Sequence, residues 1–185
     1  MTMTGFRTQL RNILDRAGRE ATLDGSSTVE AQHVLLAIAA DPATTAGRVL
    51  TSVGLDHRAI RDALDREHEH SLGAAGVSLS GFDLPPRSED ARGEKARGED
   101  ARGKKARGED SPGGDPRCAT RLGASVRIAL ERGLAGVRRN PQPAHLLLGI
   151  LQAQVGTVPR TLALTGIDQT ELTVRLRQAL ANPAG

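Results

Sequence analysis

Two histidines, His33 and His145, each stand at the head of an apolar run, HVLLAIAA in one place and HLLLGILQ in the other. A histidine there can ligate a metal, move a proton or tie down the turn that precedes a helix. The first two tasks need a carboxylate or a second histidine at ligand spacing, as in HExxH, and neither run has one. The expectation for both is therefore structural: each ring holds the loop before its helix. His57, His68 and His70 fall on or beyond a polar helix face, with REHEH at residues 66–70. Cys118 is the only cysteine. One thiol forms no internal disulfide, and a thiolate nucleophile needs a base beside it. Cys118 reads instead as a small, weakly apolar residue. There is no Ser/His/Asp order, no paired-carboxylate motif and no GxxxxGK[ST] phosphate loop in the sequence. The sequence thus implies no catalytic residue, no metal and no cofactor, and the expectation is a protein that is not an enzyme.

These side chains must be positioned by an aliphatic scaffold. Of 185 residues 38 % are hydrophobic, but only Phe6 and Phe82 are aromatic. Leu and Ala without aromatics favour helices over a sandwich or barrel. Residues 87–110, RSEDARGEKARGEDARGKKARGED, repeat every five around Ala-Arg-Gly and contain no Leu, Ile, Val or Phe. Such a tract has nothing to bury, so residues 73–116 are expected to form a flexible, disordered linker between units at 1–72 and 117–185. The net charge is only +3, and all three lysines, Lys95, Lys104 and Lys105, lie in that tract. The polar N-terminus lacks a signal-like apolar run, and stretches such as Val34–Ala40 are too short to span a bilayer. A cytoplasmic protein without membrane contact is expected.

The two flanks are copies of each other. Placing His33 on His145, an offset of 112 residues, puts Leu35-Leu36 on Leu147-Leu148 and Ile38 on Ile150. It also puts Gly54-Leu55-Asp56 on Gly166-Ile167-Asp168, Leu64 on Leu176 and Ala17 on Ala129. A gapless repeat of this length marks one duplicated supersecondary unit. Each copy reads as four helices. The second is expected to start from Thr28 in one copy and Asn140 in the other, as N-caps. The third should end at Gly54 or Gly166 in a left-handed cap. The fourth should be capped by Asp56 or Asp168, with Glu171 completing a capping box.

This order, a helix start, His-[Leu/Val]-Leu-Leu-[Gly/Ala]-[Ile/Leu], then a Leu and a Gly-[Leu/Ile]-Asp turn, all twice, resembles the Clp N-terminal domain of ClpA-, ClpB- and ClpC-type unfoldases. The resemblance covers about residues 5–69 and 117–181. It implies an all-α fold of two tandem four-helix repeats related by a pseudo-twofold. It also implies a protein- or peptide-binding function, as adaptor, decoy or sequestering factor for ligands of a Clp unfoldase or protease. The partners implied are Clp adaptors, clients or subunits, with cyclic natural products as a further ligand class. In ClpC-type domains a Thr after the opening Phe and a Glu before the helix His belong to phosphoarginine sites. Here those positions hold Phe6-Arg7 and Gln32 in the first copy, and Cys118-Ala119 and Ala144 in the second. With both Glu positions changed, weak or absent phosphoarginine binding is expected, and an apolar rim near Phe6 and the groove between repeats remain for ligands. An alternative function, a nucleic-acid-binding helical regulator, would use Arg7, Arg11, Arg16, Arg19 and Arg138-Arg139. The lack of stackable aromatics argues against it.

Overall fold

The computed structural model describes residues 3–76, 121–137 and 140–182. The elements run α1 (Met3–Leu23), β1 (Thr28–Val29), α2 (Ala31–Ala39), α3 (Thr45–Ser52) and α4 (His57–Ala74). After these come β2 (Arg121–Leu122), α5 (Ala124–Leu134), α6 (Pro143–Leu151), α7 (Thr157–Leu164) and α8 (Gln169–Ala181). The fold is all-α, with one short parallel pair, Thr28 beside Arg121 and Val29 beside Leu122, joining the two repeats. Most of the linker expected at 73–116 lies outside the described residues; α4 itself continues through Ala74.

The helix contacts define the symmetry. Within each repeat the first helix packs on the second, α1 on α2 and α5 on α6. Between repeats, α4 packs on α7 while α3 packs on α8, and α2 meets α6. Exchanging the repeats maps each of these contacts onto another of the set, which is the signature of a twofold relation. The axis passes where α2 and α6 meet. Leu35, Leu36 and Ile38 of α2 and Leu146, Leu147 and Ile150 of α6 are each at most 1 % exposed. All belong to one core that draws on both repeats. The paired leucines are not equal, however: Leu36 is fully buried and Leu148 only half-buried.

The helix starts correct one expectation. Thr28 lies in β1, and the N-cap of α2 is Glu30; Asn140 stands outside α6 with φ 54°, and the N-cap there is Gln142. The reason is the histidine at the third helical position. His33 Nδ1 accepts the Glu30 backbone N–H at 3.0 Å, and His145 Nδ1 accepts that of Gln142 at 3.0 Å. Each imidazole thus plays the part that Glu or Gln plays in a capping box. Asp56 accepts the Ala59 N–H at 2.7 Å at the start of α4, and Asp168 accepts that of Thr170 at 2.7 Å at the start of α8. Glu171 closes no capping box; its carboxylate binds Arg175 one turn on. Gly54 and Gly166 have φ of 78° and 73°, a conformation that costs little only without a Cβ.

Small residues set the α5–α6 distance. A Cβ on Gly149 would overlap the Ala129 carbonyl oxygen, and one on Gly133 would overlap that of His145. The equivalent residues in the first repeat are Ala37 and Ala21, both fully buried, so that crossing is wide enough for methyl groups.

An ion network binds α1, α2 and α4. His33 Nε2 donates to Asp24 Oδ2 at 3.1 Å, Arg61 reaches Asp24 Oδ1 at 2.6 Å and also pairs with Glu20, and His57 bonds Glu20 Oε1 at 2.8 Å. Because His33 Nδ1 is an acceptor, its proton resides on Nε2. Burial alone would push the Asp24 carboxyl up; the His33 hydrogen bond and the Arg61 guanidinium outweigh it and hold the group below its ordinary 3.8. Between the repeats, the buried Glu67 of α4 accepts Arg160 Nε of α7 at 2.6 Å and the Ser71 hydroxyl at 2.6 Å. Burial opposes that carboxylate too, and these two donors bring it below the ordinary 4.5.

Three stability outcomes are expected. Leu36→Ala costs about 2–5 kcal/mol in urea unfolding, and Leu148→Ala distinctly less, since less of its side chain leaves a cavity. Gly149→Ala destabilises by about 1–3 kcal/mol through overpacking, despite the better helix propensity of Ala; a gain in stability would show that the crossing can widen. Carboxyls depressed on folding stabilise above their ordinary values, and that stabilisation is lost as pH falls through the folded ones. The urea midpoint should therefore drop below about pH 4, and Asp24→Asn should lower it at pH 7 while flattening that acid drop.

Candidate functional site

A cavity of about 510 Å³ lies in the second repeat between α5, α6 and the loop entering α7, and is closed at one end by the start of α2. Its twofold mate, about 270 Å³, lies between the start of α6, the α2–α3 loop and Gln9 of α1. The two differ in chemistry because the repeats differ at matched positions. Where the second repeat has Ile128 and Ala153, the first has Arg16 and Asp41, which form an ion pair at 3.5 Å. Where the second has Val155, the first has Ala43. The large cavity is consequently the more apolar of the two, whereas a salt bridge stands beside the small one. Ile128 is 44 % exposed and Val155 85 %, two of only five large apolar side chains exposed among the described residues.

The closed end of the large cavity is built by Glu30. Its carboxylate accepts the Ser125 hydroxyl and the Thr28 hydroxyl, and it sits against Gly123, the N-cap of α5, where a Cβ would collide with it. Ser125 Oγ in turn accepts the Ala31 N–H at 2.8 Å, and the Gly123 N–H donates to the Val29 carbonyl at 2.8 Å. Hydroxyls and a helix start therefore compensate this negative charge within the protein. At the other end Arg132 lines the cavity, with Nη1 3.4 Å from the Gln152 carbonyl oxygen.

The residues singled out in the sequence are distributed differently from the expectation. Gln32 lines the large cavity and so faces the second repeat's α5 and α6, while Ala144 lines the small cavity beside the first repeat's α1. Each site thus takes its helix-2-type residue from the opposite repeat, because each helix start points across the twofold. Phe6 is 7 % exposed, so it is core and offers no apolar rim. Arg7 is exposed on α1 and lines neither cavity. Cys118 and Ala119, with Arg138 and Arg139, lie outside the described residues. Glu30, Arg132, Ile128 and Val155 were not singled out. The 112-residue alignment carried a signal for two of them: it sets Arg132 opposite Glu20 and Ile128 opposite Arg16, reversals of character at matched positions.

Among the described residues no group of three or more His, Cys, Asp or Glu could hold a metal, and no helix is long and apolar enough to cross a membrane. The curated proteins contain no match to the chain. The family model of the Clp repeat N-terminal domain matches residues 5–86, the whole of the first repeat. The first repeat is thus similar to the Clp repeat N-terminal domain, and four further helices repeat its order about a twofold.

Proposed function

We propose that the chain is a protein-binding module of the Clp system that takes peptide segments in the cavity between α5 and α6, acting in the cytoplasm as an adaptor, decoy or sequestering factor for ligands of a Clp unfoldase. The family is one of protein-interaction domains, which supports the general reading. The observation that carries the specific one is the 510 Å³ cavity edged by exposed Ile128 and Val155, within the range of pockets that enclose small ligands or a few side chains. Cyclic natural products form the second ligand class that such a cavity suits. Binding is one-sided, because the mate cavity is smaller and bordered by Arg16 and Asp41.

Affinity capture from native lysate, read by mass spectrometry, tests the reading. Clp adaptors, clients or subunits should be enriched by the wild type and lost with an Ile128→Asp/Val155→Asp variant. Equal recovery by both proteins would remove the cavity from the proposal. Free phosphoarginine should bind weakly or not at all in calorimetry. Gln32 supplies only a neutral acceptor, Ala144 supplies none, and the Glu30 carboxylate is already engaged by Ser125 and Thr28. A micromolar two-site isotherm would contradict this.

A further inference from the structure

The two ends of the large cavity carry opposite charges in unequal states. Glu30 at one end has its hydroxyl partners and a helix start. Arg132 at the other has only a backbone carbonyl at 3.4 Å and, among the described residues, no carboxylate within ion-pair distance. The contrast across the twofold sharpens this. The matched residue in the first repeat is Glu20, which pairs with Arg61 and His57. In the second repeat the positions of Asp24, His57 and Arg61 are held by Gly136, Gln169 and Thr173, so that ion network has no counterpart there, and among the described residues Arg132 has no ion-pair partner. Ser125 and Arg132 are seven residues apart on α5, about 10 Å along the helix. Between them the wall is apolar, with Ile128, Ala129 and Val158. Three or four extended residues span that length.

Resting on the protein-binding reading, we propose that this cavity recognises a free C-terminus: the chain-end carboxylate on the Arg132 guanidinium, with one or two aliphatic side chains against Ile128 and Val155. A guanidinium is the best matched side chain for a carboxylate, which it binds through paired N–H donors. A peptide fits better than a fatty acid because the side-chain amides of Gln32, Gln152 and Gln154 line the same cavity and can pair with a peptide backbone. The closed, self-compensated Glu30 end limits how far the chain runs inward.

The test is fluorescence polarisation of the full chain with a labelled hexapeptide ending in two aliphatic residues, as free acid and as C-terminal amide. Amidation should weaken binding at least tenfold. Arg132→Ala should bring the acid down to the level of the amide and leave the amide unchanged, and Arg132→Lys should restore part of the difference. Arg132 is exposed, so folding is expected to survive, and circular dichroism checks it. Equal binding of acid and amide, with both lost in Ile128→Asp, would overturn carboxylate recognition and leave the cavity as a peptide site. Tighter binding of decanoate than of the peptide acid would overturn the choice of a peptide. No binding of either peptide at millimolar concentration would overturn this proposal, while lysate capture that still depends on Ile128 and Val155 would leave the broader function standing.

Discussion

Everything in this fold depends on the meeting of α2 and α6. Both helices are apolar on most sides, and a four-helix unit offers only enough surface to cover part of each. The remaining faces must be covered by the other repeat. The fourth helix of each repeat accordingly lies on the third helix of its neighbour, and the core has no boundary at the repeat junction. Duplication here yields one cooperative body, in which the partner surface of an isologous dimer is supplied within a single chain.

That arrangement frees matched positions to diverge. The residues around the central contact stay aliphatic in both repeats. Outside it, the first repeat spends Glu20, Asp24, His57 and Arg61 on a network that fastens α1 to α4. The second has no counterpart of that network and packs its first two helices through Gly133 and Gly149 instead. At the position matched to Glu20 stands Arg132, which lines a cavity. Beside the mate cavity, by contrast, Arg16 and Asp41 pair.

The helix number, their order and the duplicated core were legible because they rest on short-range regularities: apolar periodicity, Gly followed by Asp at the turns, and a constant offset. Thr28 and Asn140 misled because the N-caps are Glu30 and Gln142, each paired in a capping box with the His33 or His145 ring within the first turn, a substitution for Glu or Gln at that position that propensity does not anticipate. The placement of Gln32 and Ala144 was beyond reach for another reason. Which cavity a helix start faces is set by the twofold, and a linear alignment pairs residues within a repeat, not across one. The burial of Phe6 likewise depends on neighbours from other helices.

The cross-packing of α4 on α7 and α3 on α8 also governs the protein's life on the ribosome. The first repeat ends at residue 74, and its covering helices run to residue 181, about 100 residues later. At roughly 5–20 residues per second, synthesis of that stretch takes on the order of 5–20 s. During this interval α2 and α4 have emerged without the helices that bury their inner faces. The nascent chain thus exposes apolar helix faces before it is a folded protein, and residues 87–110, charged and free of large apolar side chains, add little sticky surface while the second half is awaited.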